Sequence, residues 1–439
     1  MTQPEAGLDF RPLTTRFGQG FSAAPIGIRK VGREAEYPVV GPDGEAFDVA
    51  QLWEALVARD GHGPTLEVER APDGMIVALT SNRFSFSSEV GRGTIEVITG
   101  PRHDLLQLQE DHEAAMARLL RACAEHGAVV LGLGAQPVTP PSEVLMTPKP
   151  RYGMLLDRIG PEWLSFCTTA SDQIHVDVAG PELVAMTNLG NILAPVFIAL
   201  CANSPVVAGA DSGLCSWREA GMGAIGTDDG RHGMPLTPIL SLLDHVERLS
   251  GLPHLIHKHG GVPEPVDGIF TDFLTGLDGA DTDDAFAAFL VHDHYVWHSA
   301  RPRSRHGTVE LRAACQQPWD SHMAAAALGL GVIAAGAELG AYLEATLGLD
   351  AWKRMRLWHG EVVRHGLAAP PPVEGLVEAV LERALAALRG RSRREGALLD
   401  PLYRRVAAGK NPAQRARAAF ASGGIDGLIA HSRLPVSLG

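Results

Sequence analysis

The chain has 439 residues, 45% of them apolar and 20% charged, the balance of an ordinary globular protein with enough apolar surface for a sizeable core. Lys and Arg number 38 against 51 Asp and Glu, and this net charge of −13 excludes a general nucleic-acid binder while suiting a site that concentrates divalent metal. Five scattered cysteines, never in a Cys-x-x-Cys pair, exclude a disulfide framework and a zinc ribbon and point to a reducing, cytoplasmic setting.

Residues 1–25 show no clear period and are expected to be a loosely ordered or surface-laid segment, with no apolar run and cleavage pattern to suggest a signal peptide. A strand follows in "GIRKVGREAEYPVV", ended by the turn Pro42 to Gly44, and "TLEVERAPDGMIVALT" reads as two strands about a turn at Pro72 to Gly74. Such hairpins predict an antiparallel sheet. "HDLLQLQEDHEAAMARLLRACAEHGA" has helical apolar spacing and a glycine stop, while "VVLGLGAQPV", "DQIHVDV" and "GTVELRAA" read as further strands. Strand pair, helix, strand, helix is the order of an α+β protein rather than of a repeating βαβ one.

Two long apolar runs, from Leu183 and from His322, approach membrane-span length, but Pro195 and the Asn203-Ser204-Pro205 breaker in the first mark buried helices instead. The first is expected as one helix ending near Asn203, and no membrane partner is expected. From about Trp352 the chain reads as helical, interrupted by "APPPVEG" and by the solvated charge run "RGRSRREG".

Chemistry concentrates on the strands. Glu34 and Glu36 are two apart, so both point to one face at roughly 7 Å between Cα atoms. Glu89 and Glu96 flank Gly91-Arg92-Gly93, where a bend can restore a common direction. Glu310 and Arg312 repeat the two-residue spacing. Several carboxylates on core-length strands are hard to bury unless a hard cation such as Mg²⁺ or Mn²⁺ is shared between them and substrate phosphates, which suggests a nucleotide. No Walker or dinucleotide glycine loop is present, so phosphates fall to metal and to arginines, with Arg218, Arg301, Arg305 and above all Arg312 as candidates. His292, His294, His298 and His306 lack the spacing of a closed zinc site.

These motifs resemble the glutamate-cysteine ligase group of carboxylate-amine ligases, plant-type and bacterial, related in fold to glutamine synthetase. "GREAEYPVV" resembles the family's Gly-x-Glu-x-Glu strand, and "SSEVGRGTIEVITGPRHDL" its stretch with two metal-binding glutamates. "PKPRYGML" is similar to the Pro-x-x-Arg-Tyr of plant-type members, and "DQIHVDV…ANSP…SWREAGM" and "ARPRSRHGTVELRAACQQP" are similar to later segments. The resemblance implies a glutamine synthetase-like α+β fold, a largely antiparallel curved sheet forming an active-site funnel flanked by helices, with a catalytic domain over 26–345 and packed C-terminal helices over 346–439.

It implies further that Glu34, Glu36, Glu89, Glu96, Glu310 and Gln173 hold Mg²⁺ or Mn²⁺. Arg312, Arg301 and Gln173 would meet ATP, and Arg312, Glu310 and Arg218 would serve catalysis, with Arg218 on an amino-acid carboxylate. His175 is weighed equally as a cavity residue and as a structural hydrogen-bonding one. The implied activity is ATP-dependent amide formation of γ-glutamyl type through an acyl phosphate. Glutamate plus cysteine is the default pair, a specialised-metabolite carboxylate or another amino-acid pair the alternative, and a homo-oligomer is allowed.

Two departures stand out: Cys315 occupies a position where many relatives carry Asp, and Gly-Arg-Gly-Thr replaces the plant-type Gly-Gly-Gln. They leave open a non-ligating metal-nucleotide binder and a phosphotransferase of the same fold.

Overall fold

The structure is a computed structural model describing residues 8–58, 63–71, 73–225, 230–277 and 279–435; residues 1–7 and Pro72 of the second expected turn lie outside these. Nine strands form one sheet: β1 Val31–Val40, β2 Glu67–Arg70, β3 Ile76–Thr80, β4 Phe84–Ser88, β5 Thr94–Arg102, β6 Val129–Val130, β7 Ser171–Asp177, β8 Ala300–Arg303 and β9 Thr308–Cys315. Their order is β8-β9-β7-β1-β5-β4-β3-β2, with β6 beside β1, and every pairing is antiparallel. The fold is thus α+β on an antiparallel sheet, as expected, and the sheet is open.

Strand alternation divides β1 into two chemistries. Ala35 and Tyr37 point into an apolar cluster with Phe86, Val97 and Leu119, whereas Glu34 and Glu36 take the opposite face. Behind the sheet, Arg33 donates to both carboxylate oxygens of Asp172 at 2.7 and 2.9 Å and to the carbonyl of His322 at 2.8 Å, in full burial. This pair joins β1 to β7 from the side away from the glutamates.

The helix Leu105–Glu125 forms as its spacing predicts, with Asp104 Oδ1 accepting from Gln107 N at 2.8 Å as the N-cap. It packs on β5. The helix Ala324–Ala334 lies against β7 and packs closely at Gly329: a Cβ there would sit 3.1 Å from Ile174, which would have to give way by a few tenths of an ångström. Leu376, Val380 and Ala384 of the C-terminal helix Leu376–Gly390 share the same large core.

Several expectations change. Residues Arg11–Gly18 are a helix whose Leu13 and Phe17 are buried in the main core, Phe17 meeting Phe289 edge-on at 5.6 Å, so this part of the N-terminal segment is neither loose nor laid on the surface. "VVLGLGAQPV" contributes only the two residues of β6. Beyond them Gly132 and Gly134 bring the chain against another segment, where a Cβ would meet Gln317 O at 2.8 Å and Cys315 at 2.6 Å, and this close passage replaces a longer ladder.

The single helix expected from Leu183 is two, Leu183–Ile192 and Ala194–Cys201, bent by 43° where Pro195 begins the second. The run from His322 likewise divides into Ala324–Ala334 and Gly336–Leu347. Among the described residues no single helix is long and apolar enough to cross a membrane. The charge run after the helix Leu376–Gly390 is not purely solvated: Arg391 binds Glu395 at 2.7 Å and Arg393 binds Asp104 at 3.1 Å.

Candidate active site

Register determines which side chains meet. Glu36 lies opposite Glu96 across β1 and β5, Glu34 opposite Gln173 across β1 and β7, Glu310 opposite His175 across β9 and β7, and Arg301 opposite Glu310 across β8 and β9. Directly paired residues share a face, and so do residues two apart. Glu34, Glu36, Glu96, Gln173, His175, Arg301, Arg303, Glu310 and Arg312 therefore all rise from one side of the sheet.

Glu89 joins them from the β4–β5 connection. Gly91-Arg92-Gly93 is a tight turn between two strands, not a bend within one. A Cβ on Gly91 would collide with the Cys167 carbonyl, and one on Gly93 would lie 2.6 Å from Gln136 Nε2. Positions 91 and 93 are held where a side chain would collide, which fixes the turn and Glu89 over the sheet.

The carboxylates form two groups. Ligand atoms of Glu36, Glu89 and Glu96 all lie within 4.8 Å of one another, and so do those of Glu34, His175 and Glu310. Their electrostatics differ. In the first group, burial and then Glu36 push Glu89 up to about 7, and burial with Glu89, Glu34 and Glu36 pushes Glu96 well above the usual carboxylate range. In the second, burial would raise Glu310, but Arg301, Arg312 and Arg303 outweigh it and hold the carboxyl well below that range. Burial also raises Glu34, and His175, whose Nε2 is 3.1 Å from Glu34 Oε1, more than reverses it.

An all-oxygen trio that cannot ionise fully by itself suits a hard divalent cation. Glu36 is fixed by Ser171 N at 2.6 Å and by Gln173 Nε2 at 2.8 Å. The other end of Gln173, its Oε1, accepts from Arg312 Nη1. Gln173 thus bridges the two groups, and the oxygen that the resemblance assigns to metal is already engaged.

The arginines have distinct surroundings. Arg301 is spent on the protein: Nε and Nη2 reach Glu310 at 2.9 and 3.2 Å, and Nη1 donates to the carbonyls of His294 and Val296. It clamps Glu310 while also lining the cavity over this face. Arg303, unflagged in the sequence, is 3.2 Å from the same carboxylate. Arg312 Nη1 donates to Glu310 Oε1 as well as to Gln173. Arg218 is buried, its Nε and Nη1 making no hydrogen bond among the described residues and its Nη1 standing 3.7 Å from Glu219 Oε2. Arg305 is exposed and lines a neighbouring cavity.

A cavity of about 250 Å³ opens over this face, lined by Glu34, Glu36, Glu89, Glu96, Gln173, Arg218, Arg301 and Arg312. Arg151, Tyr152 and Arg303 line it too and are absent from the sequence-based set, although "PRY" belongs to the quoted resemblance. Lys149 is nearby, donating to the Ser88 carbonyl at 2.7 Å, and burial with Arg151 lowers its ammonium to about 8. A second cavity, about 360 Å³, is lined by Glu34 together with His175 and His306. Cys315 lines neither. It is fully buried, 3.6 Å from the hydroxyls of Ser204 and Ser216.

The family model described as Glutamate-cysteine ligase family 2 (GCS2) matches residues 30–431. The chain belongs to this family. It is an ATP-dependent ligase by that membership. A Rubrobacter xylanophilus relative is 28% identical over 332 residues, 74% of this chain and 73% of that protein. The glutamate–cysteine ligase of Halobacterium salinarum is 30% identical over 45% of this chain and 44% of its own, and the chloroplastic glutamate–cysteine ligase of Medicago truncatula 24% identical over 77% and 68%.

Among solved structures, the glutamate–cysteine ligase of Francisella tularensis in complex with AMP shares the fold with a TM-score of 0.54 at 9% identity, covering 94% of this chain and 88% of that one. The bifunctional glutathione synthetase of Pasteurella multocida gives 0.53 at 14% identity, and this chain spans only 52% of its length.

Proposed function

We propose that this family member joins a carboxylate to an amine through an acyl phosphate, in a reducing cytoplasm where its five cysteines stay free. The observation that carries the reading is the gathering of five glutamates and two cavity-lining arginines, Arg218 and Arg312, on one face of the sheet and its adjoining turn. In the first step a carboxylate oxygen of the substrate takes the γ-phosphoryl of ATP and the bond to ADP breaks. In the second the amine attacks the carbonyl carbon, loses a proton and expels phosphate, leaving the amide.

All the reacting groups are anionic until the amine arrives, so their approach needs compensating charge. Glu36, Glu89 and Glu96, and separately Glu34, His175 and Glu310, would hold divalent cations, which would neutralise phosphate and carboxylate charge. Arg312, held by Glu310 and Gln173, presents fixed positive charge to the transferring phosphoryl. Arg301 and Arg303 keep Glu310 ionised and oriented. Arg218, with two unengaged guanidinium donors, receives a substrate carboxylate. The AMP held by the Francisella enzyme supports a nucleotide in this fold.

Cys315, buried outside the cavity, removes the observation that favoured a non-ligating protein. The test is ADP release with Mg²⁺, ATP and a panel of amino acids singly and in pairs, with products identified by mass spectrometry. Amide formed only with ATP, metal and both reactants is expected. Metal-independent turnover, or a stable phosphorylated product with no amide, would sink the reading.

A further inference from the structure

Besides the glutamates, the first cavity has an aromatic and apolar lining. Tyr152, Trp163, Phe166, Trp297 and Met222 form it, and the rings make a connected cluster: Trp163 to Phe166 at 4.5 Å, Phe166 to Trp297 at 5.1 Å, Trp163 to Trp297 at 5.7 Å. The short helix carrying Arg218 packs directly on the 3₁₀ turn Pro161–Cys167 that carries Trp163 and Phe166. The unsatisfied guanidinium and the aromatic wall therefore adjoin. The indole N–H of Trp163 is likewise buried without an acceptor among the described residues.

From this adjacency we infer that the substrate whose carboxylate Arg218 receives carries a bulky apolar or aromatic body, seated on Trp163, Phe166 and Trp297, so that the enzyme selects a large apolar amino acid or amino-acid-like acid. The inference rests on the ligase reading for the carboxylate and goes beyond it for the side chain. Trp163 and Trp297 are 2% and 7% exposed, so Phe166, partly exposed, is the ring this wall chiefly offers. A small polar side chain such as a thiol would leave its edge uncovered, whereas an aromatic ring gains both burial and edge or offset contact there. A cationic body is disfavoured at Tyr152, because Arg151 and Lys149 already lie over its ring at 5.0 and 5.5 Å.

Calorimetric binding to the full chain with Mg²⁺ and ADP tests this separately from turnover. Phenylalanine, tryptophan and leucine should bind at least about tenfold more tightly than alanine or cysteine, and pairs containing one of them should give the highest kcat/KM. Phe166→Ala, at a partly exposed ring, should raise KM for those substrates about tenfold while the KM for ATP changes little. Trp163→Phe, which retains most of the ring packing, should weaken binding by a smaller factor and fold normally. Equal binding of alanine and phenylalanine, or a tenfold preference for cysteine, overturns the inference. Selective binding of the aromatic amino acids with no ADP release from any pair would instead overturn the ligase reading and leave this one standing.

Discussion

Glu36 and Glu96 face each other as register partners on adjacent antiparallel strands, with Glu89 delivered beside them by a turn whose positions 91 and 93 are closed to a side chain. Three carboxylates within 4.8 Å repel one another and lose solvation together. Replacing one by its amide removes that repulsion as well as a ligand. Glu96→Gln should therefore raise the melting temperature of the metal-free chain while reducing divalent-cation affinity about 10- to 100-fold. Scanning calorimetry in chelator beside metal titration checks both; a destabilised variant with unchanged metal affinity would contradict the assignment.

The raised Glu89 sets a pH dependence. Its carboxyl moves from an ordinary 4.5 to about 7, so the folded state binds the proton more tightly than the unfolded state. Its stabilising contribution is complete below about 4.5 and is lost as pH rises through 7. The melting temperature of the metal-free protein should fall between pH 5 and 8. Added Mg²⁺ should restore more of it at pH 8 than at pH 5, since binding competes with the proton.

Arg312 offers the clearest rate test. Arg312→Lys keeps the charge but not the planar guanidinium, whose Nη1 meets both Glu310 and Gln173 while the other donors stay available to a phosphoryl group. A fall in kcat of about 100-fold or more is expected with the fold intact by circular dichroism. Arg301→Lys should act through Glu310 and disturb metal affinity as well as kcat, which separates the two arginines.

Cys315 tests whether the missing acid matters. Cys315→Asp would place a carboxylate between two serine hydroxyls in full burial, with no cation beside it in the described contacts. It should cost about 3 kcal/mol of stability and bring no gain in ligation, measured by chemical denaturation and by ADP release.

Behind the sheet, Asp172→Ala strands the buried Arg33 cation and should cost about 3–5 kcal/mol. The joint replacement of Arg33 by Met and Asp172 by Leu should recover most of that loss. A single variant as stable as the parent would show that the pair does not hold β1 to β7.

The sheet's chemistry was legible wherever spacing alone decides a face. Glu34 with Glu36 and Glu310 with Arg312 needed only the two-residue period. His175 was equally visible, two from Gln173, yet spacing cannot say that Glu310 pairs with it, and that pairing places it beside Glu34 and Glu310. Arg303 repeats the period from Arg301 and was passed over. The aromatic wall had no signal, because Trp163 and Trp297 lie 134 residues apart and only the folded chain brings them together. Leu13 and Phe17 stand four apart, the spacing of one helical face, but a single pair is too short a period to read.

The two-faced character of β1 also bears on how the chain finds its fold. A slip of one residue against β7 would turn Glu34 and Glu36 into the apolar layer and swing Tyr37 toward water. The glutamates that would ligate metal thereby penalise mispairing before any substrate is present. The reactive face doubles as a proofreader of assembly, and variants that neutralise it are expected to lose alignment in refolding even where they gain in equilibrium stability.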